Sequence, residues 1–408
     1  MVYETGKENE ELYAVSFYDL RGRIGEWAES PKRDMLRRKG GYGMRIDVGV
    51  DLHKTQMTVY VRTGKDEGES SQYSVTTEGY REFLKALGKW RSKGADIRVA
   101  VESTGNTRYF MHQLEARGYP VVVINTMKFK VITQSVKKTD RHDAYTIAEF
   151  LSKDMLPESK LCSEKSEEVR RLLKVRSMLV RTRVSIKNQI HGLLVSRGME
   201  DTRACLQSKR GRQEIQDTLA EAGNGLVVQP LFDTIEALGE EIKAIEAEIE
   251  KLMAADKAVK LLQTIPGCGP VTAWTIRAYT DDIRRFARYK QYSSYAGLVP
   301  WVECSNETVH YGKITKRGPE ELRTAFVQLV MGIRRSRSTL SWRLMVQYES
   351  MKRQKGTGKS IIATARKMSK IVWYMLMREE EFKTSLMVDT KLDSVIQSMR
   401  EKALCESA

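Results

Sequence analysis

The spacing of apolar residues changes its period once along the chain, and that change limits the folds open to it. As far as Leu156, short strand-like runs alternate with helix-length stripes; from residue 164 to residue 260 apolar positions recur every three or four residues. In the first regime, Arg45–Asp51, Thr55–Arg62 and Ser71–Thr76 predict three strands in succession. A helix over about Glu78–Arg91 follows, with Phe83, Leu84, Leu87 and Trp90 on one stripe. Then come a strand at Ile97–Glu102, a helix at about Asn106–Arg117 and a strand at Val121–Asn125. A last helix starts near Thr139, with Ala144, Ile147, Ala148 and Leu151 at i, i+3, i+4 and i+7. Three strands and then alternation predict an α/β sheet of mixed strand direction, in the order of a ribonuclease-H-like domain.

In the second regime, Ile235, Leu238, Ile242, Ile245, Ile249 and Leu252 form an a/d seam, and Leu172, Leu179, Ile186 and Leu193 recur every seven. A break at Gly223-Asn224-Gly225 and Pro230 lets the two arms fold back on each other, or each pair with a partner chain as a dimerising coiled coil. Both readings stay open on periodicity alone. A third region, mostly α with a short hairpin near Leu298–Tyr311, runs from Leu261 to about Met377. The expected organisation is an extension at 1–43, an α/β domain at 44–160, a helical coiled-coil arm at 161–260, a C-terminal domain at 261–380 and a tail at 381–408. Met44 directly precedes the first strand, so residues 1–43 are expected to be dispensable.

Charge narrows the function. In 408 residues, 69 Lys and Arg face 53 Asp and Glu, a net +16, which points to a polyanionic partner and first to nucleic acid. No apolar run reaches the roughly 18 residues of a spanning helix, and the N-terminus lacks a signal-peptide apolar core, so no membrane partner is expected. Five scattered cysteines without a C-x-x-C pair argue against a disulfide framework or zinc site and for the cytoplasm. The positive charge is grouped. Residues 165–191 hold eight Lys/Arg against two acids, and Arg170, Arg171, Lys174, Arg181, Arg183 and Lys187 are candidate nucleic-acid contacts. Lys313, Lys316, Arg317 and Arg323 form a second group, and Lys359 lies within a third at 351–370, which has seven Lys/Arg and no acid. Gly356–Ser360 ends like a phosphate-binding P-loop, but the required upstream glycine position holds Arg353 and no strand precedes it.

Four carboxylates stand where a metal site needs them. Asp51 and Glu102 close strands, and Asp140 and Asp143 share one face of the last helix of the α/β region. Taken singly, each is better explained as a turn or helix-start residue; together they suit hard cations such as Mg2+, with Mn2+ as the alternative. Asp47 shares the strand face of Asp51, and alternation does not choose between them. Ile265-Pro266-Gly267-Cys268-Gly269-Pro270 resembles the turn of a helix-hairpin-helix, in which Gly267 and Gly269 allow close approach of a phosphate. Ser305, read by itself, is a polar loop residue without a His–Asp pair to activate it.

These segments together resemble the DEDD-type transposases of bacterial insertion sequences, which include the Piv-type invertases and the bridge-RNA-guided recombinases. The resemblance runs from about Met44 to about Met377. It is carried by Gly49-Val50-Asp51-Leu52-His53-Lys54, Val101-Glu102-Ser103-Thr104-Gly105 and Lys138-Thr139-Asp140-Arg141-His142-Asp143-Ala144. Further on, Ile265-Pro266-Gly267-Cys268-Gly269, Ala296-Gly297-Leu298-Val299-Pro300 and Ile314-Thr315-Lys316-Arg317-Gly318 follow the family's order. The resemblance implies that Asp51, Glu102, Asp140 and Asp143 are the metal-binding tetrad of a RuvC-like domain, preferring Asp51 to Asp47. It also implies that Ser305 is the nucleophile of a C-terminal transposase domain; the family usually has glycine after that serine, where this chain has Asn306. Excision and integration of an insertion sequence would follow. So would donor and target DNA, a structured guide RNA, and a homodimer that assembles into a tetramer with sites composed from two protomers. Two other functions fit the same residues: a RuvC-like endonuclease or junction resolvase using the carboxylates alone, and a non-catalytic nucleic-acid-binding protein.

Overall fold

The computed structural model describes residues 44–65, 67–132, 139–198, 206, 208–221, 225–305, 308–336, 339 and 341–388. The expected extension at 1–43 and most of the tail lie outside the described residues. The chain divides into two compact units between Leu161 and Cys162.

The first unit is a five-stranded sheet with helices. Its strands are β1 (Arg45–Leu52), β2 (Gln56–Arg62), β3 (Gly68–Ser74), β4 (Asp96–Glu102) and β5 (Val121–Ile124), arranged β3-β2-β1-β4-β5. β1, β2 and β3 pair antiparallel in chain order, whereas β4 joins β1, and β5 joins β4, in parallel. The sheet is therefore mixed, as the succession of predicted elements requires. Its helices are α1 (Thr77–Arg91), α2 (Thr107–Glu115), α3 (Thr126–Ile132) and α4 (Asp140–Ser152). α1 and α2 bury Phe83, Leu87, Phe110 and Leu114 with Ile46, Val48, Val50, Val99 and Val101 of the strands. β1 is buried at nearly every residue and β4 at Ile97 and Val99–Val101, as expected of central strands covered on both faces.

α4 lies against β1 and β2 through Ala144, Ala148 and Tyr60. Gly49, inside β1, makes that approach possible: a Cβ there would overlap the carbonyl of Ala144 and lie 2.5 Å from the Ala148 nitrogen. At the other end of β1, Asp47 is buried and accepts from Arg98 Nε at 2.9 Å and Nη2 at 2.6 Å, with Arg45 Nε at 3.3 Å. A buried carboxylate is tolerated when paired this way, so Asp47 serves the sheet.

The second unit is mainly helical. α5 (Glu164–Val195) and α7 (Gly225–Met253) pack against each other, and Arg176 Nε meets Glu246 Oε1 at 2.6 Å between them. The two arms thus fold back within one chain. α6 (Lys209–Leu219) intervenes, so the arm has three helices where two were expected, and Pro230 lies inside α7. The other expected break residues, Gly223 and Asn224, lie outside the described residues. Ile235, Ile242 and Ile249 of the seam are fully buried, while Leu238, Ile245 and Leu252 are half-buried. The far end of the arm has its own core of Ile190, Leu194, Ile215, Leu219 and Phe232. Its near end joins the main core, where Val169, Leu173, Ile249 and Met253 meet the C-terminal helices.

Those helices are α8 (Lys257–Gln263), α9 (Pro270–Thr280), α10 (Tyr289–Tyr295), α11 (Glu320–Arg335), α12 (Arg343–Lys355) and α13 (Thr357–Arg378). Between α10 and α11 a ribbon of β6 (Pro300–Ser305) and β7 (Thr308–Ile314) stands as predicted near Leu298–Tyr311. Phe382–Val388, expected to be tail, packs back instead: the Phe382 N–H donates to Thr264 Oγ1 at 2.9 Å and Val388 bridges to Trp342. Among the described residues no helix is long and apolar enough to cross a membrane, and Cys162 and Cys268 are in no disulfide.

Candidate active site

β1 and β4 are parallel and in a register that pairs Val50 with Val101. One residue further, Asp51 and Glu102 therefore stand side by side at the C-terminal ends of two central strands. Both are half-buried. α4 brings the other two acids. Thr139 caps it, its Oγ1 accepting from the His142 N–H at 3.2 Å, and places Asp140 and Asp143 in the first turn. The backbone contact at Gly49 sets how closely that turn approaches Asp51.

Asp51 and Glu102 feel the neighbouring acids. Burial pushes the Asp51 carboxyl above its ordinary range, Asp140 and Asp143 add to the shift, and His53 opposes it. Burial likewise raises Glu102, the charges of Asp51 and Asp143 add to that, and Lys130 opposes. Clustered acids held partly out of water are costly without a counter-charge. The described residues give the cluster one close partner. His53 Nε2 lies 3.2 Å from Asp51 Oδ2 and 3.7 Å from Asp140 Oδ1. Gln56 Nε2 donates to Asp140 Oδ2 at 3.4 Å. One ligand atom each from Asp51, His53 and Asp140 fits within 4.8 Å, compact enough to share a cation. Neither His53 nor Gln56 is among the expected site residues, although His53 stands in the Gly49–Lys54 segment two residues beyond Asp51.

Other predicted site residues are spread over the second unit. Ser305 closes β6 opposite Thr308. The ribbon's base is locked by backbone contact: a Cβ on Gly297 would lie 2.5 Å from the Arg317 carbonyl, and one on Gly318 would overlap the carbonyl of Tyr295. Thr315 N–H donates to Val299 O at 2.9 Å, and Arg323 Nη1 to Lys316 O at 3.2 Å. Lys313, Lys316 and Arg317 are exposed at this base, and Arg323 is half-buried beside it.

Gly267 has φ +83°, and a Cβ there would lie 2.5 Å from Gly332 O, so its lack of a side chain is accounted for by packing against α11. Gly269 precedes α9 as its N-cap and faces open space. On α5, Arg170 turns inward, Nε donating to Ala278 O at 2.9 Å and Nη2 to Tyr279 O at 3.2 Å. Arg171 pairs with Glu167 at its own helix surface. Lys174 and Arg181 are exposed. Burial lowers the Lys187 ammonium, and the like charges of Arg183 and Arg212 lower it further, marking a concentrated positive patch. Lys359 is exposed in the first turn of α13, which starts after Gly356 at φ +81°.

Comparison with known proteins agrees with this layout. Residues 48–197 match the DEDD transposase model of the IS110 type, and residues 259–344 match the model described as "Transposase IS116/IS110/IS902 family". A transposase for insertion sequence element IS1111A from Coxiella burnetii is 29% identical over 292 residues, covering 70% of this chain and 79% of that protein. A probable family 20 transposase from Pseudomonas aeruginosa is 26% identical, covering 81% of this chain and 97% of its own. A pilin gene-inverting protein from Moraxella bovis is 22% identical, covering 82% and 97%. A mixed α/β unit followed by a helical unit, with both family matches, defines a DEDD-type transposase, an enzyme of DNA strand cleavage and rejoining. The chain belongs to the IS116/IS110/IS902 family of insertion-sequence transposases.

Proposed function

We propose that this transposase excises and integrates its own insertion sequence through a serine nucleophile and a divalent-cation site. The observation that carries the reading is the convergence of Asp51, Glu102, Asp140 and Asp143, the charges of Asp140 and Asp143 adding to the rise at Asp51 and those of Asp51 and Asp143 to the rise at Glu102. The 3-2-1-4-5 sheet is read as ribonuclease-H-like, within an α/β domain at 44–160, and the ribbon belongs to a C-terminal transposase domain at 261–380. An all-oxygen cluster of this kind fits Mg2+ or Mn2+, and His53 could remain beside it as a hydrogen-bond partner. When bound, such ions would stabilise charge on the attacking and leaving oxygens of a phosphodiester.

Ser305 Oγ attacks phosphorus, forms a P–O bond and releases a sugar hydroxyl from the DNA chain. A sugar hydroxyl of a second strand then attacks the phosphoserine, restores a phosphodiester and frees the serine. Bond energy is conserved, so no nucleotide cofactor is needed. Lys313, Lys316, Arg317 and Arg323 would neutralise phosphates at the ribbon base. Lys174, Arg181, Arg183 and Lys187 on the arm, and Lys359 on α13, would grip the donor and target DNA and a structured guide RNA, base pairing reading the sequence. Dimerisation through the arm, and assembly to a tetramer, are supported by Val175, Met178 and Val184 standing 44%, 57% and 49% exposed on α5 beside half-buried Leu179 and Ile186.

The deciding experiment compares Ser305→Ala with Asp51→Asn on DNA spanning the element's own ends. Ser305→Ala should abolish covalent protein–DNA adduct and strand exchange, and Asp51→Asn should abolish strand cleavage. Continued cutting by Ser305→Ala would favour a metal-dependent endonuclease instead. RNA co-purified from cells and sequenced should contain one discrete species encoded next to the gene; random cellular RNA would remove the guide from the proposal.

A further inference from the structure

The β6–β7 ribbon carries side chains that a free-standing hairpin has no internal reason to expose. A two-stranded ribbon is marginal in water unless something covers it. Trp301 is 51% exposed, Val302 46% and Tyr311 73%. Register pairs Val302 with Tyr311 on one face, and a bulge between Pro300 and Val302 sets Trp301 on the other. There the indole rests on Gly312, where a Cβ would meet Trp301 Cε3 at 2.6 Å. Gly312 is thus a flat seat that fixes the ring and leaves its outer face open. Gly312 has the strand parity of His310, which pairs with Glu303, and Ser305 follows two residues later. By register, then, Trp301 and Glu303 belong to the same side of the ribbon, and Ser305 ends the same strand. Lys313, Lys316 and Arg317 are exposed at the ribbon's base, the end where Trp301 stands, whereas Glu303 lies nearer the tip.

We propose that the seated indole of Trp301 stacks on a nucleobase of the DNA strand that carries the scissile phosphate. An aromatic face with adjacent cations is the chemistry that holds unpaired nucleotides without reading their sequence. Ser305 is four residue steps along the strand from Trp301, about 13 Å, which spans up to about four nucleotides at the ~3.4 Å spacing of a stacked strand. The stacked base would therefore lie within a few nucleotides of the cut and fix which phosphate meets the tip. This inference rests on the serine reading above for its location, but not for its binding chemistry.

The test uses the full chain and a twelve-residue oligothymidylate with 5-iododeoxyuridine at alternate positions, cross-linked by ultraviolet light and mapped by peptide mass spectrometry. The peptide containing Trp301 should carry a DNA adduct. Trp301→Ala should lose it and raise the Kd for the single strand by about fivefold or more, while Trp301→Phe stays within about twofold of wild type and a paired duplex of the same length is little affected. Absence of label on Trp301 while other peptides react would overturn the proposal. So would unchanged single-strand affinity in Trp301→Ala, an equal loss for duplex, or labelling of Trp301 by the iodouridine RNA counterpart in preference to DNA. Ser305→Ala should retain both label and affinity. A missing phosphoserine adduct in wild type on DNA spanning the element's own ends would refute the nucleophile and leave the stacking result standing.

Discussion

Replacing Gly49 by alanine tests the link between packing and site most directly. The added methyl would overlap the Ala144 carbonyl and lie 2.5 Å from Ala148 N and 3.1 Å from its Cβ. Ordinary carbon contacts need about 3.5 Å or more, so α4 must lift from β1 by about 1 Å. Overpacking of this kind costs about 1–3 kcal/mol, on the order of 5–15 °C in melting temperature for a unit of this size. The lift has a second effect, because Asp140 and Asp143 ride on the first turn of the displaced helix while Asp51 and Glu102 stay with the strands. A displacement of about 1 Å is enough to cost roughly a hundredfold in a positioned reaction. Calorimetric melting, titration with Mn2+ and a strand-cleavage assay should therefore all move together. Gly88→Ala is the control: it lies within α1, a Cβ there meets nothing within 4 Å, and alanine should be neutral or stabilising by up to about 1 kcal/mol. If Gly49→Ala melts and binds Mn2+ like wild type, the close approach of helix and strand does not position the carboxylates.

Raised carboxyls at Asp51 and Glu102 mean that the stability they contribute is present on the acid side of the ordinary carboxylate range and lost as pH rises through their raised values. Metal-free Asp51→Asn should accordingly melt above wild type at neutral pH, the gap closing as pH falls toward about 4; a gap that widens on acidification would contradict the assignment. The same variant should lose most of the melting-temperature rise that Mn2+ gives wild type. Asp47→Asn removes one partner of Arg98, which keeps Asp154 and the Leu151 carbonyl; because burial raises the Asp47 carboxyl, the variant should unfold in urea no earlier than wild type at neutral pH, while Mn2+ affinity stays unchanged. Arg181→Glu with Lys187→Glu should weaken DNA binding uniformly across sequences and flatten the dependence of log Kd on log salt by about two phosphate contacts; an unaltered slope would take the arm out of the interface.

The sheet was legible because its central strands are β-branched and buried on both faces, with Val48, Val50, Val99 and Val101 leaving little else for those segments to be. α3 escaped notice because seven residues are too few to display a helical period. Asp51 and Glu102 could be read as acids ending apolar strands, but their adjacency depends on β4 inserting beside β1 in parallel, which no local pattern encodes. Asp47 and Asp51 look alike by strand alternation, and the pairing of Asp47 with Arg98, fifty-one residues away, is a contact that no local pattern encodes. Gly49 carried a signal that went unused: glycine within a buried strand marks a close backbone approach. Heptads along the arm announced a helical pair, but the same seam serves a fold-back within one chain and a contact between chains. α6 adds a turn that a seam-only reading has no place for.

Gly297 and Gly318 do more than close a turn, because the ribbon above them is a lever with its fulcrum at their contact. From Pro300 to Ser305 the strand reaches about 17 Å, so a tilt of about 5° at the base carries the tip through about 1.5 Å. A methyl at either glycine would force such a tilt, since the opposing atoms are backbone carbonyls of Arg317 and Tyr295 rather than pliant side chains. Damage at the fulcrum is therefore amplified at a tip it never touches, whereas length changes beyond Ser305 leave the fulcrum alone. Rigidity in this ribbon is concentrated in two backbone contacts at its foot, and the reach of the rest depends on them.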